Sequence, residues 1–204
     1  MRTIVGILGA VVASSAGAWY VQTILRGHTR PHRVTWGVWT IIGALGVSAA
    51  FDGGAGPGGY AALVYAAFTA AVFLLSMNPR FRRPDAERHS DWLLGIGSCA
   101  TLVAWQAIDL PTAVAASVAV GADAMIAWPT LREAWRHPEY EAPAPWIAGL
   151  IGSGLALAGL RLLTYSAVAY PAYIAALQVS VVLTLMVRRS VTSTSQAHEC
   201  TQDD

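Results

Sequence analysis

One carboxylate in this chain stands where a charge is expensive. Asp123 lies inside the apolar run PTAVAASVAVGADAMIAWPT. Counting about 1.5 Å per residue from Pro111 puts it about 18 Å along a helix, a little past the middle of a ~30 Å hydrocarbon layer. An ionisable group at that depth faces a cavity or a partner and marks a pathway or proton site. Its small neighbours Ala116, Ala119, Gly121 and Ala122 leave room either for a cavity or for tight helix packing. The plainer alternative is a protonated Asp hydrogen-bonded between helices.

Gln178 is the second polar group in mid-run, and its donors and acceptor also require partners, either another helix or a ligand. The chain has eight tryptophans. Trp36, Trp39, Trp105, Trp128 and Trp146 fall on or beside the helices expected to face inward, and Tyr65 joins them from a neighbouring run. Interfacial anchoring accounts for such rings in general. If several line a cavity with Asp123 and Gln178, the site is aromatic and weakly acidic, suited to a small apolar or cationic solute with proton coupling through Asp123. The same parts could do acid chemistry. A carboxylic acid, Asp123 or Asp52, would protonate an alkene or epoxide of a prenyl chain, and aromatic faces would stabilise the resulting cation. Asp52 ends an apolar run before GGAGPGG, where it could instead pair with Arg161 at the outer rim.

Several chemistries are set aside. Cys99 and Cys200 are too far apart in expected depth to form a disulfide or metal site. All thirteen basic residues are arginine, so no lysine is present to form a Schiff base with retinal. No cofactor, metal or nucleic acid is expected. The expected partners are membrane lipids and either a small organic solute or a lipophilic prenyl substrate.

The elements that position these groups follow from composition. Hydrophobic residues make up 55% of the chain, charged ones 12%, and mean hydropathy is +0.48, against about a quarter charged in soluble domains. Apolar runs cover roughly 3–24, 34–51, 59–77, 91–108, 111–129, 146–163 and 167–187. Each is near the ~20 residues that cross a bilayer as a helix. This predicts an all-α integral membrane protein of seven spans. Arginines cluster after the first, third, fifth and seventh runs, and the alternate connections 52–58, 109–110 and 164–166 carry none, so the N-terminus is expected outside and the C-terminus in the cytoplasm of a bacterial inner membrane. The leading MRTIVGILGAVVASSAGA has the look of a secretory signal, but Arg26, Arg30 and Arg33 outweigh Arg2 and favour a retained helix. Trp19 and Tyr20 are expected at the cytoplasmic interface, and Pro129 to break or kink the fifth helix.

The halves echo each other. WPTLREAWRHPEYEAPAPW (128–146) is a looser copy of VQTILRGHTRPHRVTW (21–36), and setting Trp36 on Trp146 holds an offset of 110 for some forty residues, with Gly43 on Ser153, Gly46 on Ala156 and Tyr60 on Tyr170. The fourth run has no counterpart. The expected organisation is a three-helix repeat over 1–78, a connector plus linker helix over 79–110, a second repeat over 111–189 and a disordered tail over 190–204.

Two three-span units joined by one helix, each with a break and a basic loop after its first helix, resemble the PQ-loop and SWEET class of membrane proteins. Thr29, Arg30, Pro31, Arg33, Val34, Thr35 and Trp36, then Pro129, Thr130, Pro138 and Glu141, are similar to the loops of uncharacterised bacterial members. The resemblance spans roughly residues 3–187. It implies parallel repeats about an axis along the membrane normal and transport by alternating access. The Pro-Gln pair is replaced by Val21-Gln22 and Pro129-Thr130, and the asparagines that SWEET proteins present from each third helix have no match, so the resemblance implies no sugar specificity.

Overall fold

The computed structural model describes residues 2–52, 58–83, 87–108, 110–160 and 163–200. The regular structure among them is entirely helical: α1 (Arg2–Leu25), α2 (Arg33–Asp52), α3 (Gly58–Met77), α4 (His89–Ala107), α5 (Thr112–Arg136), α6 (Pro143–Gly159) and α7 (Tyr165–Cys200). Short 3₁₀ turns lie at Pro79–Phe81 and Pro138–Tyr140.

Local chemistry explains the ends. α1 stops because Gly27 adopts φ 78°, and the His28 and Gly27 N–H groups donate back to the Thr23 and Ile24 carbonyls. This glycine-terminated cap satisfies carbonyls the helix leaves open. α6 starts on Pro143, whose missing N–H costs nothing in a first turn. Two expectations are corrected. α5 runs through Pro129 to Arg136 without ending there, with the proline ring packed inside the protein. Tertiary packing outweighs the one backbone bond lost at a proline. α7 continues to Cys200, so residues 190–200, expected to be disordered, extend the helix.

Three helical segments, Thr3–Leu25, Thr112–Arg136 and Tyr165–Val191, are long and apolar enough to cross a membrane. Among the described residues α2, α3 and α6 contribute the shorter apolar segments Arg33–Val47, Leu63–Met77 and Pro143–Gly159. α1 and α2 each pack on α3, and α5 and α6 each pack on α7. The two sets meet where α1 lies on α6 and α2 on α5, while α4 packs against α5 and α2. The α1–α6 crossing is close because glycine faces backbone on both sides. A Cβ on Gly9 would sit 2.8 Å from the Ala156 nitrogen, and one on Gly152 2.9 Å from the Ala13 nitrogen. On α2, Gly43 lets α3 approach closely, a Cβ there lying 3.0 Å from Ala66 Cα, whereas nothing among the described residues lies near a Cβ at Gly46.

The surface is apolar as well as the core. Ile4, Ile7, Leu8 and Val11 of α1, Leu93 and Ile96 of α4, and Leu183 and Met186 of α7 are exposed at helical spacing. Polar side chains are inside: Thr35 donates to the Ile126 carbonyl (3.0 Å) and Ser98 to the Ala122 carbonyl (2.9 Å), tying α2 and α4 to α5. Hydrogen bonds between helices do here what apolar burial does in water.

At the arginine-rich end the charges are paired. Asp91, fully buried in the first turn of α4, accepts two bonds from Arg132 of α5 (2.7 and 2.8 Å) and one from His32 (3.2 Å). Arg33 pairs with Glu87 and Arg83 with Glu133. Burial lowers the His32 pKa although Asp91 beside it pulls the other way. The loop after α1 and the loop after α5 touch: Arg30 N–H donates to the Tyr140 carbonyl (3.0 Å) and Ala142 N–H to Thr29 Oγ1 (3.3 Å).

Candidate functional site

Between the helices lies a chamber of about 250 Å³ walled by α1, α2, α3, α6 and α7. Its rings are Tyr20, Trp36, Trp39, Tyr65, Phe68 and Trp146. They interlock edge to face: Trp36 with Trp39 (4.8 Å between centroids), Trp36 with Phe68 (5.4 Å) and Tyr20 with Trp146 (5.8 Å). Such contacts are the favoured arrangement of aromatic quadrupoles. Tyr20, Trp36 and Trp146, all nearest the arginine-rich loops in their helices, are buried and floor the chamber at that end. Away from it the lining turns small, with Ala10, Ala13, Ser14, Gly149 and Ser153.

Few polar groups enter. Gln178 accepts from Ser153 Oγ through its Oε1 (2.8 Å), and its Nε2 lies over Gly149, where a Cβ would approach to 2.6 Å. Trp36 Nε1 is buried beside Tyr20, whose ring centroid lies 5.0 Å from that of Trp36, with no well-formed hydrogen bond among the described residues.

Asp123 is 0% exposed and is not part of the lining. It sits one layer behind, where Trp39 Nε1–H (2.7 Å) and the Tyr173 hydroxyl (3.2 Å) donate to Oδ1 and the Tyr170 hydroxyl (2.7 Å) donates to Oδ2. This carboxylate joins α2, α5 and α7 and fixes the Trp39 ring that faces the chamber.

A second carboxylate has the same relation to the floor. Glu141, in the loop between α5 and α6, is 7% exposed. Its Oε1 accepts from Trp146 Nε1–H (2.8 Å) and its Oε2 from the Tyr20 hydroxyl (3.3 Å). Arg189 of α7 clamps the backbone beneath, donating to the carbonyls of Glu141 (2.7 Å) and Pro138 (2.9 Å). Burial pushes the Glu141 carboxyl up to about 7, against the opposing pull of the Trp146 and Tyr20 hydrogen bonds. On its far side is a small pocket lined by Arg30, His32, Arg83, Glu133, His137 and Tyr140.

Of the residues singled out by sequence, Trp36, Trp39, Tyr65, Trp146 and Gln178 come together around the chamber, with Asp123 behind Trp39. Trp128 does not join them: it is 58% exposed on the outer surface of α5. Trp105, near the end of α4, is also outside the lining. The Asp52 side chain and Arg161 lie outside the described residues, and with them the rim pairing. Tyr20, expected at the interface beside the exposed Trp19, is instead a floor ring. Sequence reasoning also passed over Tyr170, Tyr173 and the burial of Glu141. The signal for Tyr170 and Tyr173 was available, since hydroxyls recurring in an apolar helix need buried acceptors. Among the described residues no group of His, Cys, Asp and Glu side chains is placed to hold a metal ion.

No family model, curated protein or solved structure matches the chain.

Proposed function

We propose that the protein is a membrane transporter of a small organic solute, working by alternating access between two parallel three-helix repeats joined by α4. The arginine-rich end would face the cytoplasm, in keeping with the positive-inside rule. The observation that carries this reading is how the chamber is built. Trp36 and Trp146 stand 110 residues apart in matching repeat positions, as do Phe68 and Gln178, and all four line it. A cavity lined from both repeats, here by α1 to α3 of the first and α6 and α7 of the second, is one whose contents rocking one repeat against the other can expose to either face. The apolar residues exposed on α1, α4 and α7 are suited to lipid.

The lining suggests the cargo. A volume of about 250 Å³ fits a small molecule. Six rings favour an apolar or cationic body, and the Gln178 amide favours a hydrogen-bonding group on it. A prenyl-chain cyclase would require an acid directed into the chamber. Both oxygens of Asp123 are occupied behind the wall, so the geometry favours transport.

Purified protein in liposomes, offered labelled amines, sugars, vitamins and linear prenyl compounds, provides the test, with lumen and membrane read by chromatography and mass. Accumulation of an unaltered compound, lost in Trp36→Ala, is the expected result. A same-mass product with shifted retention would overturn transport in favour of cyclisation.

A further inference from the structure

Glu141 is a buried carboxyl that no part of the transport reading uses. Among the described residues it also connects the aromatic floor of the chamber to the small polar pocket at the arginine-rich end: it lines that pocket, and its hydrogen-bond partners, Tyr20 and Trp146, are two of the three floor rings. Opening the chamber at that end requires these two rings to part, and parting them hydrates Glu141.

We propose that Glu141 is the proton-binding site of the protein, holding a proton while the chamber is sealed at the arginine-rich end and releasing it to that side when the seal opens. This rests on the transport reading and replaces Asp123 as the coupling group. The direction of linkage is fixed by burial. A carboxyl that is harder to ionise in the sealed state than in water favours the sealed state when protonated and the open state when ionised. The sealed site, at about 7, and a hydrated one near the ordinary 4.5 bracket the range in which a modest pH difference acts.

Both protonation states can be satisfied in place. Ionised, Glu141 accepts from Trp146 and Tyr20. Protonated, one oxygen still accepts from the Trp146 N–H, which can only donate, while the new O–H donates to the Tyr20 oxygen, which can also accept. No covalent bond changes, and the proton passes between solvent and the carboxyl. The surroundings hold Glu141 rather than neutralise it. Arg189 donates to backbone carbonyls and its charge pulls the Glu141 pKa down without outweighing burial, Arg30 lies over the Tyr140 ring, and Arg83 lies over the same ring and pairs with Glu133. His32 is engaged with Asp91, and His137 lies 3.4 Å from Glu139. Asp123 contrasts with it: three donors hold that carboxylate fully bonded, with no oxygen toward the loop pocket.

The test uses the full chain in vesicles that expose the arginine-rich end. Infrared titration of the protonated carboxyl band should show a midpoint near 7 that is lost in Glu141→Gln and kept in Asp123→Asn. Ser153→Cys, in a Cys99→Ala, Cys200→Ser background, should be labelled by an impermeant thiol reagent faster as pH rises through 7, and slowly at every pH once Glu141→Gln is added. A titration that survives Glu141→Gln, or labelling that keeps its pH dependence in that variant, overturns the proposal. Should Glu141→Gln fail to fold, Tyr20→Phe serves: it removes a donor to the ionised form and should raise the midpoint by about one pH unit, and an unmoved midpoint counts against the site. If no solute is ever accumulated but the titration and labelling hold, the transport reading falls and the proton site stands. If uptake is found with its pH dependence intact in Glu141→Gln, the reverse is true.

Discussion

Replacing Asp123 by leucine removes the acceptor for three donors on two other helices while nearly conserving volume. The donors lose different amounts. The Tyr170 and Tyr173 hydroxyls can turn to seek new partners, but Trp39 Nε1–H can only donate and is buried against the space the carboxylate vacates. Interhelical hydrogen bonds in membranes contribute ~0.6 kcal/mol on average and up to ~1.7 each, so three of them bracket the loss between about 2 and about 5 kcal/mol. Asp123→Asn should cost only about 1 kcal/mol, because its carbonyl still accepts from Trp39 and its amide can donate to a tyrosine oxygen. Unfolding of detergent-solubilised protein measures both, and a double-mutant cycle with Trp39→Phe isolates the pair, with an expected coupling of about 1 kcal/mol. Uptake by Asp123→Leu should fall with the loss of Trp39 position, whereas Asp123→Asn should retain most of it. If leucine is tolerated as well as asparagine, or if Trp39→Phe and Asp123→Leu prove additive, the carboxylate is not what positions the ring and the reasoning fails.

The pH dependence of stability should single out Glu141. Its folded pKa of about 7 exceeds the ordinary 4.5, so its contribution is complete below about 4.5 and is lost as pH rises through 7, a difference of about 3 kcal/mol. Wild type should therefore lose that much between pH 4 and pH 8.5 relative to Glu141→Gln, and a gap that is the same at both pH values in denaturant unfolding would refute the burial argument. The glycines of α6 should separate packing from the site. Gly152→Ala drives a Cβ into the backbone of α1 and should destabilise by about 1–3 kcal/mol, whereas Gly149→Ala meets only the movable end of Gln178 and should alter uptake with little change in unfolding. Arg132→Met strands the buried Asp91 charge and should cost about 3–5 kcal/mol, most of which the pair Asp91→Leu, Arg132→Met recovers.

What the sequence made legible follows from which signals are local. The apolar runs are a property of spacing, and the helices α1 to α7 fall close to those runs; the chamber also brings together Trp36 and Trp146, 110 residues apart. Helix rotation is not local in that sense. Trp128 stands five residues after Asp123, roughly 140° around the helix, so the two cannot share a face, and counting angle rather than proximity would have excluded it. Glu141 was harder still. In REAWRHPEYEAPAPW it is one of several acids in a polar loop, and although the resemblance marks it out from Glu139, which is exposed, nothing in the loop says that it is buried. Its burial is decided by Thr29 from the other loop and Arg189 from α7, partners more than forty residues away in either direction.

The two carboxylates show why position along the chain does not settle role. Each accepts an indole N–H from a ring that faces the chamber, Trp39 for Asp123 and Trp146 for Glu141. Asp123 adds two tyrosine hydroxyls from one helix that moves with it, since α5 and α7 pack on each other. Glu141 adds one longer bond to Tyr20, across the seam where α1 meets α6. A carboxylate bonded mostly within one set of helices keeps its environment when the sets move relative to each other, and so has no reason to gain or lose a proton. One bonded across the seam changes its hydration whenever the seam opens. Proton coupling belongs to the group whose environment the motion alters, and by that criterion the residue deepest in the apolar run is the scaffold and the loop glutamate is the switch.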